Sequence, residues 1–520
     1  VSLSFPSAGR RSVALVLSNA VGRVRRASVW WIALALAAAF VVASLYFDRG
    51  QSFTPPVIRF LDPDDALRLA QVRNLLAGGG WFDPVISSIG DGEGLHSHWS
   101  RLLDLPIAGL ILAARTVLDE PGAEQFALLV WPKLVLFAFM AAFLRQMIRE
   151  TSVEAALALA AMLWLSLFSL IQFQLTRIDH HNVQNACAAL AIVLATSPLA
   201  NARSALAAGL IAGLGLAIGY EALPAMGLLA ALLAACSPID DERRRVAEAF
   251  AAGLALALAA ALALTVRPST WFPVPCDALG LNVVAGTAIG AVGLRAAGLC
   301  AGRRSWHVAA LLAAGGAAAA GFAALEPACL AGPFARVDPA MGSLWINHVQ
   351  EAKPLHRLAE TQSAMAIALA ASMLACLVAQ AAMVAQRRTA SDLMRLVLLA
   401  LLTVIACRYI KLIPYAQLLG FFCLARATFE LRWPHPQITP RVAAMLAVLL
   451  ATPVPLMLMA AAVTRPDKAE ADAGRGCETE RDFAALAALP AARILPQPDL
   501  GGHLALMPQH HVLIGNYHRL

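Results

Sequence analysis

Charge is what this sequence has least of. Only 14% of its 520 residues are charged, where soluble chains carry about 25%, and a mean hydropathy of +0.68 excludes a soluble globular domain. Short alternating strands between turns are absent too, which excludes a transmembrane barrel. The nine cysteines include no C-x-x-C pair and fall mostly inside apolar runs, so they build no metal framework. No small-residue cleavage site follows the first apolar run, which therefore reads as a retained span. The net charge of +7 comes from arginines in short loops. That distribution is a signal of membrane topology and argues against a nucleic-acid partner.

What is present is a series of apolar runs of roughly 17–25 residues with short polar breaks, the pattern of an all-α polytopic membrane protein. We expect about thirteen spans. The first seven lie near Val29–Phe47, Gln125–Met147, Ser152–Leu175, Val183–Leu199, Ala205–Tyr220, Leu223–Cys236 and Val246–Val266. The next five end near Arg303, Glu326, Arg387, Arg408 and Arg426, and the last is Val442–Val463. Residues 1–28 then form a cytoplasmic basic leader, 29–463 the transmembrane domain, and 464–520 a short extracytoplasmic tail. Arg145/Arg149, Arg243–Arg245, Arg303/Arg304, Arg387/Arg388 and Arg426/Arg432 all fall on the leader's side, as the positive-inside rule requires in a cell membrane.

This topology puts two long polar segments outside, about 48–122 and 327–361. The first holds a helix over Asp62–Leu76 that stops at Gly78-Gly79-Gly80, then a short apolar piece, Leu105–Leu118, suited to the interface. His96 and His98 read as loop residues. Cys276 and Cys329 also lie outside, either as a disulfide or as two thiols. Lys133, inside the second span, pairs or snorkels.

Several titratable groups gather on the same side. Asp62, Asp64 and Asp65 come from the first loop, Asp179-His180-His181 from the junction after the third span, and Glu221 from the lip of the fifth. Glu351 comes from the second long loop, and Arg408 and Lys411 from the junction of spans eleven and twelve. A charge at mid-bilayer costs about 2.5–3.5 kcal/mol, so Arg408 and Lys411 either snorkel or face a polar cavity. Carboxylates repel one another unless a cation sits between them, and Asp64, Asp179 and Glu351 offer oxygen ligands to a divalent ion, with His181 as a further ligand. Arg408 nearby suits a phosphate. The bland reading of Asp62-Pro63-Asp64-Asp65 is a helix cap, and one aspartate can cap while another ligates.

In this order and topology the residues resemble the catalytic subunit of oligosaccharyltransferase and its single-chain bacterial and archaeal relatives, glycosyltransferases of the GT-C architecture. Asp62-Pro63-Asp64-Asp65-Ala66-Leu67-Arg68 looks like the family's first-loop motif, with Asp64 the match to its catalytic aspartate. Asp179-His180-His181 looks like the second motif, in its archaeal Asp-His-His form. His348-Val349-Gln350-Glu351 resembles a degenerate form of the third, keeping the glutamate, and Arg408-Tyr409-Ile410-Lys411 stands where the family's arginine contacts the lipid-linked pyrophosphate. The resemblance implies a polyprenyl-phosphate-linked sugar donor and Mg²⁺ or Mn²⁺ held by Asp64, Asp179, Glu351 and His181. It further implies Asp64 and Glu351 in catalysis, and Arg408 and Lys411 on the donor phosphate. Asp62, Asp65, His180 and Glu221 support the site. The family's C-terminal domain carries a Trp-Trp-Asp motif that reads the acceptor, and residues 464–520 contain none, so the acceptor stays open.

Two other classes share these features: a transporter or flippase for a lipid-linked or anionic solute, and a non-catalytic GT-C scaffold. Transporters place charge near mid-membrane on broken, repeated helices, whereas here no repeat is visible and the acids sit at loop junctions. The topology is checked with alkaline-phosphatase fusions. A fusion after Asp179 is expected to be active and one after Arg149 silent; the opposite pattern inverts the assignment.

Overall fold

A backbone in hydrocarbon must satisfy its own N–H and C=O groups, and the apolar runs of this chain do so as helices. A computed structural model describes residues 28–48, 60, 62–90, 92, 94–338, 349–432, 439–463, 485–507, 509–515 and 517. The expected leader up to residue 27, the stretch Trp345–His348 and the start of the tail, residues 464–484, lie outside the described residues.

The main helices, in chain order, are α1 (Ser28–Ser44), α2 (Pro63–Leu76), α3 (Arg101–Ala114), α4 (Glu120–Glu150), α5 (Val153–Trp164), α6 (His181–Ala195) and α7 (Ala202–Ile218). They continue as α8 (Leu223–Cys236), α9 (Asp241–Thr265), α10 (Leu281–Ala297), α11 (Arg304–Leu325) and α12 (Ser363–Arg387). The last are α13 (Ala390–Arg408), α14 (Ile413–Glu430), α15 (Pro440–Ala451), α16 (Pro453–Val463) and α17 (Pro498–Leu504). Among the described residues seven of them, α4 and α9–α14, are long and apolar enough to cross a membrane, and eight if the bent pair α15–α16 counts as one span. The chain is an all-helical multi-pass membrane protein. The helices α1 and α5–α8, where further spans are expected, are apolar but shorter.

Two spans differ from their expected form. The run Ser152–Leu175 is not one helix: α5 ends at Trp164, and a short helix and a 3₁₀ turn complete it. Ser166 and Ser169 there turn their hydroxyls to Gln417 of α14 instead of to lipid. The last span bends by 58° between α15 and α16, where Pro453 and Pro455 cannot donate to the helix ladder.

α14 is the axis of the bundle, nearly all of it buried, while α11 is almost wholly exposed at the edge. Backbones touch where α7 crosses α9. A Cβ on Gly209 would fall 2.1 Å from the Phe250 carbonyl, and one on Gly253 2.4 Å from that of Leu206. Small residues that permit such contact are how helices pack when lipid competes for every apolar side chain.

Away from the acidic motifs, one end of the bundle is tied by a buried ion network. Arg395 of α13 reaches Glu150 of α4 at 2.8 Å, and Arg426 of α14 reaches Asp392 at 3.0 Å and Glu430 at 3.0 Å. At the other end α2, α3 and two short strands, Val85–Ile86 and Leu95–His96, form a cap on the bundle. The described C-terminal residues return onto that cap, with Val512 bonded to Ser88 and Gly90. Cys276 and Cys329 are bonded to each other, and Lys133 pairs with Asp48 at 2.7 Å.

Removing one partner of a buried pair leaves an uncompensated charge. Arg395→Met is expected to lower stability by about 3 kcal/mol or more. Arg295→Met, which breaks an exposed contact to Glu248, should cost less than about 1 kcal/mol. Denaturant unfolding of the purified protein compares the two.

Candidate functional site

The site begins with a helix cap. Asp62 has extended backbone, and its Oδ1 accepts the Asp64 N–H at 3.0 Å. Pro63 follows at the first helical position, where its missing N–H costs nothing. Asp64 and Asp65 then occupy the first turn of α2, favoured by the helix dipole, and Gly78 (φ +93°) ends the helix run as expected.

Asp65 faces inward and organises the turn before α6. Its Oδ1 accepts the N–H groups of Ile178 and Asp179 at 2.8 Å each, and its Oδ2 accepts from Arg177 at 2.9 Å. Arg177 also meets Asp62 Oδ2 at 2.9 Å and Gln172 Oε1 at 2.5 Å. Thr176, just before it, has φ +69°, a left-handed conformation that is strained for a β-branched residue. That strained residue turns the chain so that Arg177 points at α2 and Asp179 stands at the start of α6.

Asp179 divides its two oxygens. Oδ1 pairs with His180 Nδ1 at 2.5 Å. Oδ2 is buried, makes no hydrogen bond among the described residues, and stands 3.3 Å from His181 Nε2. Beyond His180, Nε2 lies 3.2 Å from both oxygens of Glu221. Lys411 then joins Glu221 to Glu351, at 3.2 Å from each. Gly219 makes room for this chain, since a Cβ there would lie 2.7 Å from His180 Cδ2.

Burial alone would raise the Asp179 carboxyl, but His180 and His181 beside it hold it well below the carboxylate range. Burial lowers His180 and the Asp179 and Glu221 charges outweigh it, lifting the imidazole to about 10. Asp64 moves the other way: burial, then the charges of Asp62 and Asp179, push it well above its ordinary value. Lys411 keeps Glu351 low.

The structure thus brings Asp62, Asp64, Asp65, Asp179, His180, His181, Glu221, Glu351 and Lys411 to one end of the bundle. Arg408, at the end of α13, is exposed and lays its guanidinium over the Tyr409 ring at 4.9 Å, so the two cations of that junction diverge. Sequence reasoning passed over Arg177 and Trp99. Arg177 left a signal, because it stands two residues before Asp179 at a junction between apolar runs and needs a counter-charge. Trp99 left none; it lies 6.1 Å from the His180 ring, and the Arg68 guanidinium covers it at 4.7 Å.

Asp179, His180 and His181 present ligand atoms that all lie within 4.8 Å of one another. Two ligands each about 2.0–2.2 Å from one ion stand roughly 3–3.5 Å apart. The unbonded Asp179 Oδ2 and His181 Nε2 have that separation, and a hard oxygen with an imidazole suits a divalent cation. The site fits one.

These features define a multi-pass helical membrane protein with a buried acidic site at one end. Its fold is similar to that of part of archaeal oligosaccharyltransferase. The structure of AglB from Archaeoglobus fulgidus in complex with an inhibitory peptide and a dolichol-phosphate matches it with a TM-score of 0.63 and 16% identity, over 95% of this chain and 65% of that one. The Archaeoglobus fulgidus enzyme tethered to an acceptor peptide containing the NVT sequon matches with a TM-score of 0.64 and 16% identity, over 94% and 64%. Its complex with Zn and sulfate gives 0.58 and 15%, over 93% and 62%. The chain therefore spans under two thirds of the length of these relatives. No protein-family model and no curated sequence matches it.

Asp65→Asn keeps one oxygen for the Ile178 and Asp179 N–H groups but removes the charge and the second oxygen that meet buried Arg177, and is expected to cost about 3–5 kcal/mol. Asp62→Asn keeps a good cap at a partly exposed site and should cost about 1 kcal/mol. Thermal unfolding in detergent ranks them.

Proposed function

We propose that the protein transfers a sugar or oligosaccharide from a polyprenyl-phosphate-linked donor, at the extracytoplasmic face of the membrane and with a divalent cation. One observation carries this reading: Asp64, Asp179 and Glu351, from three distant stretches, converge on one electrostatic cluster in a fold shared with archaeal oligosaccharyltransferase. The relatives' complexes with dolichol-phosphate and with Zn support a lipid carrier and a metal.

Asp64, Asp179, His181 and Glu351 would hold the cation, which would screen the carboxylates and act as a Lewis acid. The remaining chemistry belongs to side chains. Transfer breaks the bond between the anomeric carbon and the phosphate oxygen, and the acceptor's nucleophile forms the new one. Lys411, the cation of that junction that turns into the cluster, stabilises the charge left on the phosphate. Asp64 and Glu351 orient and polarise the acceptor, and Glu351 stands at the exposed mouth of the cluster. His180 fixes one oxygen of Asp179 so that the other stays available, and Glu221 holds His180 in turn.

Asp64→Ala, Asp179→Ala and Glu351→Ala are each expected to lower transfer from a polyprenyl-phosphate-linked sugar at least about 100-fold. Chelation should abolish transfer and Mn²⁺ restore it. Wild-type rates in all three variants would refute the assignment. Glu221→Gln should weaken Mn²⁺ binding about 10-fold, read by titration.

A further inference from the structure

We propose that the C-terminal segment is a brace that sets both halves of the acidic site, with Gly502 and Tyr517 as its positioning residues. The physical starting point is α2, a helix with two apolar faces. Ala66, Leu69 and Val72 pack among residues of α3 and α4. Leu67 and Ala70 pack instead in a separate cluster with Trp99, Leu504, Ala505, Val512 and Tyr517. The second face is therefore covered in large part by residues more than 400 positions away.

Contact is closest at the acidic end. A Cβ on Gly502 of α17 would lie 2.5 Å from the Pro63 carbonyl, and Pro63 separates Asp62 from Asp64. Backbone thus rests on backbone where α2 begins, and no side chain fits between. Further along, Arg73 donates to the Leu506 carbonyl at 3.1 Å and Ser88 to that of Ala505 at 2.7 Å.

The same segment reaches the Asp-His-His turn by a second route. The Tyr517 hydroxyl accepts the His98 N–H at 2.8 Å, lies 3.3 Å from Ser97 Oγ and bonds the His98 ring. Its ring meets Trp99 edge-on at 5.5 Å, and Trp99 in turn lies against His180. One segment therefore holds the start of α2 directly and the His180 side through Trp99. The join between these halves is Asp65, which accepts the Ile178 and Asp179 N–H groups.

The inference rests on the metal reading for only one of two readouts. In the full-length purified protein, Gly502→Val and Tyr517→Leu are expected to speed amide exchange in a peptide covering 176–182 at least about 10-fold, with α14 unchanged. Mn²⁺ affinity should fall about 10-fold or more in both. Tyr517→Phe keeps the ring on Trp99 but takes the acceptor from the His98 N–H, and should fall between the parent and Tyr517→Leu on both readouts. Parent-like exchange at 176–182 in both disruptive variants overturns the brace, as does equal acceleration in α14. If Gly502→Val does not accumulate, Tyr517→Leu decides. Absence of Mn²⁺ binding in the parent, with the exchange response present, refutes the metal reading and supports the brace.

Discussion

A carboxylate taken out of water costs several kcal/mol unless cations or N–H donors meet it, and the site end of this bundle is built to meet that cost. Arg177 stands between Asp62 and Asp65, and two backbone N–H groups complete Asp65. His180 compensates Asp179 and Glu221, and Lys411 compensates Glu221 and Glu351. Each link joins a different part of the chain, so the acidic site and the docking of the first loop on the bundle are one structure. The Arg177 pairs add charge compensation to the apolar packing that seats α2 on the bundle.

The other end of the bundle solves the same problem with a different result. Glu150, Asp392 and Glu430 meet Arg395 and Arg426 in direct pairs, and Thr196 and Gln146 add hydrogen bonds. Direct pairs between buried charges hold helices together. At the site, by contrast, Asp179 Oδ2 makes no hydrogen bond among the described residues, and Asp64 is pushed toward its neutral form.

Much of the frame was legible because hydrophobic length is a local property. A run of apolar residues favours a helix through its own backbone and side chains, and most of the expected runs are helical. The Asp62 cap and the Gly78 stop were legible for the same reason, each depending on a few neighbouring backbone groups. The break inside Ser152–Leu175 was not, because Ser166 and Ser169 leave the helix pattern for Gln417, about 250 positions away. Nor could spacing distinguish Arg408, which lies exposed on Tyr409, from Lys411, which turns inward to two glutamates.

By itself, then, the amino-acid order determined the helices, their apolar faces, and which acidic and basic residues lie near helix ends. Local sterics and transfer free energies suffice for those. Tertiary structure alone decided that Arg177 bridges the Asp62 cap and Asp65 of α2, that Asp179 Oδ2 makes no hydrogen bond among the described residues, and that Gly502 rests on Pro63. Such pairings join residues separated by about a hundred to more than four hundred positions. Their energies depend on burial and distance, which exist only once the chain has folded.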